Sequence, residues 1–282
     1  MFYILNKKQG ESSFQAIRNF ARKINVKKFG HTGTLDPLAT GLLLVATDED
    51  TRLIEYVTNK NKTYIAEAKF CFQSDTYDIT GKIINQTKNL FSADKIEEFK
   101  CWLLNQKSQI PPIYSAKKIN GVCSYKLARN NEDAKLKEQK IEVYDVKILD
   151  FNENEQLLKF ELTVSQGTYI RSLINDAAIY FKTYAVMSSL KRTKVGNLDI
   201  KYLNDDKDFL AIDTKEVIDL PIYLANKTEL ILFSRGNKTT NNKKFITNKY
   251  LLYSANNQNN CLGILNIDEN DIKPEKIFLS RF

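Results

Sequence analysis

Metal-ligating and disulfide-forming residues are scarce in this sequence. Its 282 residues include one histidine, His31, and four scattered cysteines with no Cys-x-x-Cys pair among them. Zinc sites and disulfide frameworks need such ligands in number and at close spacing, and other transition metals draw on the same groups. We therefore expect no metal and no disulfide, and a reducing compartment such as the cytoplasm is the simplest location.

Long hydrophobic runs and nucleotide-binding loops are missing too. No segment comes near the roughly 18 consecutive apolar residues that indicate a membrane span. Residues 1–8 carry their charges after a short apolar run, which is not the order of a signal peptide. Neither a Gly-x4-Gly-Lys-Ser/Thr loop nor a Gly-x-Gly-x-x-Gly sequence opening a helix is present. We expect no membrane span and no nucleotide cofactor.

Acidic residues are outnumbered, and the basic excess lies at the two ends of the chain. The formal net charge is +8. Residues 1–30 hold seven basic residues and one acidic residue, and residues 223–282 hold nine basic and five acidic residues. Basic ends on a near-neutral body suit a polyanionic partner such as a nucleic acid. A merely solubilising surface is the alternative interpretation of the charge alone.

Hydrophobic periodicity predicts a mixture of helices and strands. Ser12-x-x-Gln15 resembles a capping box, and the helix that follows places Arg18 and Arg22 on one face. Apolar spacing predicts further helices over residues 48–57, 92–103 and 171–181. Alternating or continuous apolar runs predict strands over residues 41–47, 62–70, 141–151 and 157–164.

The composition changes after Pro221. Residues 223–282 show short apolar runs, asparagine-rich turns and little helical period, and residues 236–249 read as a polar loop. We place a domain boundary there, between a large first domain and a small β-rich module.

One loop carries more chemistry than any other segment. Residues 30–42 read Gly-His-Thr-Gly-Thr-Leu-Asp-Pro-Leu-Ala-Thr-Gly-Leu. Glycines permit positive φ or a close backbone approach, and Pro37 biases Asp36 towards extended geometry. The result is a stiff loop that presents one carboxylate, Asp36. Taken only as a glycine-rich loop, it is equally typical of an ordinary turn.

The segment from Gly30 to Gly41 resembles the catalytic motif of the bacterial tRNA pseudouridine-55 synthases, in which the aspartate matched by Asp36 is the essential catalytic residue. Further segments resemble motifs of that family in the same order, and together they cover about residues 3–196: Asn6-Lys7-Lys8-Gln9-Gly10, Lys62-Thr63-Tyr64, Ile110 to Gly121 with Tyr125 and Arg129, Gly167-Thr-Tyr-Ile-Arg171, and Leu190-Lys-Arg-Thr193. Two positions depart from the family pattern: Lys8 stands in place of a proline, and Gln166 in place of a lysine.

The resemblance implies an α+β fold of the pseudouridine-synthase type. In that fold a mixed, largely antiparallel sheet is flanked by helices, and a small β-rich, PUA-like module follows. The implied catalytic domain spans residues 1–222 with a thumb-like insertion at about 110–140, and the module spans residues 223–282. A β-rich cap without an RNA role is the alternative for the module.

The resemblance also implies roles for particular residues. Asp36 is the implied catalytic group, Tyr64 stacks on the target base, and Arg171 pairs with the carboxylate. Substrate or RNA contacts are implied for His31, Lys7, Tyr169, Leu190, Tyr114, Lys117 and Arg129. Without the resemblance, Tyr64 is more typical of a strand core and Arg171 of a surface helix start. Since an adjacent cation lowers the pKa of an aspartate by about 1–3 units, we expect Arg171 to keep Asp36 ionised.

The implied reaction is isomerisation of uridine to pseudouridine at position 55 in the T-loop of tRNA, without a cofactor. The implied partner is the tRNA T-arm stem-loop; no protein partner is required, and the chain acts as a cytoplasmic monomer. Two alternatives stay open. One is a guide-RNA-dependent pseudouridine synthase, which the thumb-like segment and the short C-terminal module disfavour. The other is a tRNA-folding chaperone without catalysis, which would not need the set of Asp36, Tyr64 and Arg171.

Overall fold

The computed structural model describes residues 1–57, 59–115, 117–119, 122–123, 136–203, 207–242 and 244–282. The strands are β1 (Phe2–Lys7), β2 (Phe29–His31), β3 (Thr40–Thr47), β4 (Lys62–Phe70), β5 (Phe72–Ser74), β6 (Ile83–Gln86), β7 (Ser108–Gln109), β8 (Lys118–Ile119), β9 (Val122–Cys123), β10 (Gln139–Lys140), β11 (Val143–Asn152), β12 (Leu157–Val164), β13 (Ala185–Val195), β14 (Leu198–Asp199), β15 (Phe209–Ile212), β16 (Ile222–Ala225), β17 (Thr239–Thr240), β18 (Asn248–Ser254), β19 (Gly263–Ile267) and β20 (Asp271–Ile277). The α-helices are α1 (Ser13–Lys23), α2 (Ile96–Leu104), α3 (Ile170–Tyr180), α4 (Thr214–Val217) and α5 (Lys227–Ser234), and 3-10 helices cover Asp48–Tyr56, Ala93–Lys95, Ile200–Tyr202 and Leu279–Arg281.

A nine-stranded sheet forms the body of the protein. Its order is β11-β12-β4-β13-β3-β1-β15, with β2 paired to β3 and β14 to β13. Its strand pairs are antiparallel except β13 and β3, which run parallel through Lys191 opposite Thr40 and Arg192 opposite Gly41. This mixed, largely antiparallel sheet with helices confirms the predicted α+β class.

Strand β3 is apolar on both faces because both faces of the sheet are covered there. All its residues except Thr40 are buried. Leu43 and Val45 enter a core that also contains helices α1, α2 and α3. Leu42 and Leu44 point to the opposite face and enter a second core. Strand β3 therefore lies between two packed layers. The loop that precedes it is anchored where it enters this buried strand.

The C-terminal module supplies part of that second core. Its sheet has the order β16-β18-β19-β20-β17, and Leu251, Ile264 and Phe278 pack in one cluster with Leu42 and Leu44. A further small core, with Tyr223, Phe233 and Leu265 among its members, lies within the module. Burial of apolar surface thus joins the module to the main sheet.

Charged side chains reinforce this junction. Arg281 donates from both terminal nitrogens to Asp50, at 3.1 and 2.9 Å, and Asp50 is only 2% exposed. The hydroxyl of Tyr56 donates to Glu275 at 2.7 Å. Hydrogen bonds between an arginine and a carboxylate are stronger than those between neutral groups.

Several predicted elements are confirmed. The hydroxyl of Ser12 caps α1 by accepting from the backbone N–H of Gln15 at 3.1 Å, and β4 has the predicted bounds. Other predictions are wrong in detail. Gly30 and His31 lie in strand β2 rather than in a loop. The polar segment 236–249 contains β17 and the start of β18, and α5 is a helix where little helical period was expected.

The described residues contain no helix that is long and apolar enough to cross a bilayer.

Candidate active site

The loop that carries Asp36 is tied to the start of helix α1. The hydroxyl of Ser13 accepts from the backbone N–H of Leu35 at 2.7 Å and donates to the carbonyl of Leu35 at 2.9 Å. Ser13 is 2% exposed. Both backbone groups of the residue before Asp36 are therefore fixed by one buried hydroxyl.

Lys7 fixes the loop on the other side of Asp36. Its ammonium donates to the carbonyls of Ala39 at 2.6 Å, Lys8 at 2.9 Å and Pro37 at 3.3 Å. An ammonium has three donors, so these contacts use all of them, and the side chain is 1% exposed. Lys7 lies beneath the loop rather than in the cleft that the loop borders.

Glycine is required where the loop enters β3. Gly41 has φ +101°, and a Cβ there would lie 2.2 Å from the carbonyl oxygen of Arg192. The parallel contact between β3 and β13 occurs at this pair of residues. Gly41 thus allows the two strands to meet and lets Arg192 reach the carbonyl of Leu42 with its Nε at 2.7 Å.

The carboxylate of Asp36 pairs with a buried guanidinium. Nε of Arg171 lies 2.9 Å from Oδ2 of Asp36, and Nη1 of Arg171 lies 3.7 Å from Oδ2 of a second carboxylate, Asp78. The Arg171 side chain is 5% exposed and that of Asp78 is 7%, whereas that of Asp36 is 37% exposed. Of these three charged side chains, Asp36 is thus the one that is accessible to solvent.

Backbone carbonyls complete the surroundings of Arg171. Nη1 donates to the carbonyl of Thr76 at 2.9 Å, and Nη2 donates to the carbonyl of Tyr114 at 3.0 Å. Asp78 is held in turn by the hydroxyl of Thr80 at 2.6 Å and by its backbone N–H at 2.9 Å. Every nitrogen of the guanidinium therefore has a partner, and its orientation is determined.

The start of helix α3, which carries Arg171, is held by Gln109 and Ile110, at the start of the predicted thumb. The side chain of Gln109 accepts from the backbone N–H of Tyr169 at 2.6 Å and donates to its carbonyl at 3.2 Å. The hydroxyl of Ser172 donates to the carbonyl of Ile110 at 3.0 Å. Gln109 itself is 3% exposed.

Asp36 opens into a cleft of about 240 Å³. Five of the predicted site residues border it: Asp36, Tyr64, Tyr169, Arg171 and Leu190. The side chains of Tyr64 and Leu190 come from the neighbouring strands β4 and β13 and are 6% and 7% exposed. An apolar, aromatic wall with one carboxylate at its edge can take a planar ring and bring a reactive oxygen to it.

The remaining predicted contacts that the structure describes do not border this cleft. His31 is half-buried on β2, where its Nδ1 accepts from the backbone N–H of Gly33 at 3.2 Å. Tyr114 reaches the site through its carbonyl, as above, and Lys117 is exposed and donates to the side chain of Gln139. Arg129 and Tyr125 lie outside the described residues.

The expectation that Arg171 lowers the pKa of Asp36 is wrong for the net shift. Burial raises the pKa of Asp36, and the negative charge of Asp78 raises it further, whereas Arg171 and then Lys7 oppose the increase. Desolvation disfavours the charged form of a carboxyl group. The pKa of Asp36 is therefore above its ordinary value despite the adjacent cation.

The site also contains buried polar residues that the sequence patterns do not indicate, among them Ser13, Asp78 and Gln109. Asp78 stands in the polar segment Ser74-Asp-Thr-Tyr-Asp-Ile-Thr-Gly81, which reads as an ordinary turn. It reaches Arg171 because Asp78 forms an isolated bridge with Met187 on β13. No local pattern in the sequence indicates that long-range contact.

Comparison with known proteins gives a consistent result. A family model described as the N-terminal domain of TruB family pseudouridylate synthases matches residues 21–170. A protein of Mycoplasma mobile named tRNA pseudouridine synthase B is 48% identical over 84% of this chain and 82% of its own length. Proteins with the same name are 40% identical in Mycoplasmopsis pulmonis, over 99% of this chain and 95% of theirs, and 36% identical in Fusobacterium nucleatum, over 95% and 96%.

Solved structures share the fold at low sequence identity. A chain in the structure of an H/ACA RNP bound to a substrate RNA containing 2'-deoxyuridine superposes with a TM-score of 0.65 at 18% identity, over 98% of this chain and 84% of that one. A chain in a Cbf5-Nop10-Gar1 complex gives a TM-score of 0.64 at the same identity and coverage. At this identity the likeness concerns the fold alone.

Proposed function

The chain belongs to the TruB family of pseudouridylate synthases, and on this premise we propose that it converts uridine 55 in the T-loop of tRNA to pseudouridine. The relatives that share 36–48% of its sequence carry the name tRNA pseudouridine synthase B. The position within tRNA follows from the resemblance of residues 30–41 to the motif of the enzymes that modify uridine 55.

One observation supports the catalytic assignment above the others. Asp36 is the only carboxylate among the described residues that border the cleft, and Arg171 pairs with it at 2.9 Å. The reaction breaks the C–N glycosidic bond of a uridine, turns the uracil and forms a C–C bond. Asp36 supplies the ionised oxygen that acts as nucleophile or base, and Arg171 fixes its orientation.

A uridine in a folded loop is inaccessible, so the base must be flipped into the cleft. Stacking on Tyr64 offsets part of the unstacking cost, at roughly 1–3 kcal/mol per base. Tyr169 and Leu190 border the same space. The isomerisation is redox-neutral within one nucleotide, so its chemistry requires no redox cofactor.

The domain organisation is part of this proposal. Residues 1–222 form the catalytic domain with its thumb-like insertion at about 110–140, and residues 223–282 form a PUA-like module that contacts the outer part of the tRNA. The nine basic residues of that module suit this contact. We propose that the chain acts as a cytoplasmic monomer without a guide RNA, since the relatives at 48% and 40% identity are named as tRNA enzymes.

The test is direct mapping of the product. Unmodified tRNA is incubated with the protein, and pseudouridine is located by carbodiimide probing and primer extension. We expect one new signal at position 55, absent with Asp36→Asn although that variant binds tRNA within about tenfold of wild type, or about 1.4 kcal/mol. Turnover by Asp36→Asn above a few per cent would contradict the role of Asp36. A wild-type chain that binds tRNA but forms no pseudouridine would support the chaperone alternative, and a requirement for a second RNA would support the guide-dependent one.

A further inference from the structure

Besides Arg171, two buried basic residues border the cleft. Lys62 and Arg192 border it, and they are 6% and 1% exposed. Among the described residues, neither has a carboxylate within ion-pair distance, and the charges that act on Lys62 are those of two cations, Arg192 and Lys60. Buried charges in proteins are normally paired, so these two are an exception.

The guanidinium of Arg192 has one nitrogen unused. Its Nε donates to the carbonyl of Leu42 at 2.7 Å and its Nη2 to the carbonyl of Gly33 at 3.1 Å. Its Nη1 is buried and has no hydrogen-bond partner among the described residues. Such an unsatisfied donor costs about 1–3 kcal/mol, and more when the group is charged.

The two cations converge on the same place. A Cβ built on Gly33 would lie 3.2 Å from Nζ of Lys62 and 3.7 Å from Nη1 of Arg192. The unused nitrogen of Arg192 and the ammonium of Lys62 thus both lie beside Gly33. Lys62 and Tyr64 are two residues apart on β4, so their side chains point to the same face of the sheet.

Burial and the neighbouring cations lower the pKa of Lys62 to about 8, so its ammonium still carries a charge at neutral pH. Burial and Arg192 also lower the pKa of His31, and that imidazole is therefore neutral and adds no charge. Two like charges in a low-dielectric site repel each other, and an anion bound between them offsets this repulsion by attracting both. A base edge accepts hydrogen bonds, but only an anion offsets both charges.

We infer that Lys62 and Arg192 form the binding site for a backbone phosphate of the substrate RNA, adjacent to the nucleotide that enters the cleft. The inference rests on the proposed function, because a nucleotide that stacks on Tyr64 brings its own phosphates to the same wall of the cleft. A phosphate oxygen takes the free Nη1 donor of Arg192 and the ammonium of Lys62 together.

The test uses the full chain with Lys62→Met, which keeps a long apolar stem and removes the charge. We expect this variant to bind the T-arm stem-loop at least tenfold more weakly and to reduce the log–log salt slope by about 0.7–0.9, the value for one neutralised phosphate. Without RNA we expect it to be as resistant to urea as wild type or more resistant, because an uncompensated buried charge is gone. Lys62→Arg should retain most of the affinity.

The matched control is Lys147→Met, which removes an exposed charge on β11. It should change neither the RNA affinity, nor the salt slope, nor the resistance to urea.

A second measurement identifies the partner atom. T-arm RNAs are made with one neutral methylphosphonate at a time around the target uridine. For one position, wild type and Lys147→Met should lose about tenfold in affinity, whereas Lys62→Met should lose clearly less, because one of the two charges that meet that phosphate is already absent. Equal losses in all three proteins at every position would overturn the inference.

The other outcomes are also decisive. RNA affinity of Lys62→Met within twofold of wild type would contradict a phosphate contact, and loss of urea resistance in both Lys62 variants would assign the lysine a structural role. A site for free phosphate would appear as stabilisation of wild type by inorganic phosphate, lost in Lys62→Met, with unchanged RNA affinity. A wild-type chain that neither binds nor modifies tRNA would contradict the proposed function itself, which these variants do not test.

Discussion

Arg171 and Asp78 lie 3.7 Å apart, between Nη1 and Oδ2, inside the same site in which Arg171 pairs with Asp36. One guanidinium is thus shared by two carboxylates of unequal exposure. Asp78 accepts hydrogen bonds from Thr76 and Thr80 with its other oxygen, which keeps it facing Arg171. The buried carboxylate orients the arginine, and the arginine orients the carboxylate that solvent reaches.

This arrangement predicts a pH effect for Asp78→Asn. In the proposed mechanism Asp36 acts in its ionised form, so the acidic limb of the profile of kcat/KM against pH should report the pKa of Asp36 in the free enzyme. Burial and Asp78 raise that pKa. Removing the charge of Asp78 lowers it, and the acidic limb should move to lower pH. The control is Asp75→Asn, in the same turn, where Oδ1 accepts from the backbone N–H of Lys82 at 2.9 Å. A limb that stays in place, or moves to higher pH, would refute the coupling.

Arg171→Ala should reduce both activity and stability. It leaves Asp78 buried without its cation, and breaking a buried pair from one side costs about 3–5 kcal/mol. Because the pKa of Asp36 would rise further, the loss of stability should be larger near pH 8 than near pH 5. Urea unfolding at the two pH values measures this, with Arg171→Lys as the variant that keeps the charge. Unchanged unfolding and turnover in Arg171→Ala would show that the pair is unimportant.

Elements with one-sided burial were predictable from sequence. Helix α1 combines a serine cap with apolar residues at helical spacing, and β4 alternates buried and less buried residues along most of its length. Both patterns are local and both were read correctly. Helix α5 was not predicted, although Asn226 and Glu229 form a capping box at its start. The helix has only eight residues, Lys227–Ser234, which are too few to show a helical period.

The site was predictable only where its chemistry is contiguous in sequence. The loop around Asp36 is one segment, and the segment with Arg171 is another. Asp78 joins them through a bridge to β13, and Lys62 reads as the first residue of a half-buried strand. The net rise in the pKa of Asp36 depends on how deeply the site is buried, and neither of the two motifs indicates that depth.

Ending the chain after Pro221 should abolish cooperative unfolding. The truncation removes Leu251, Ile264 and Phe278 from the core that contains Leu42 and Leu44, and it leaves Asp50 buried without Arg281. The exposed apolar face should bind the dye ANS. Calorimetry of the truncated and full chains measures the outcome. A sharp transition within a few degrees of the full chain would show instead that residues 1–221 fold independently.

The exposed face of helix α1 should contact RNA phosphates. Arg18 and Arg22 are exposed, four residues apart, on the helix whose first residue, Ser13, holds the loop of Asp36. Among the described residues, no acidic side chain pairs with either arginine, so both charges are available to an anion.

If each arginine neutralises one phosphate, reversing both to glutamate should reduce the slope of the log–log plot of tRNA affinity against salt by about 1.5. The matched control reverses two exposed lysines elsewhere, Lys88 after β6 and Lys147 on β11, and should leave the slope unchanged. Fluorescence anisotropy between about 50 and 200 mM salt gives the slopes. Identical slopes for wild type and the arginine variant would mean that α1 faces away from the RNA and that its charge only solubilises the chain.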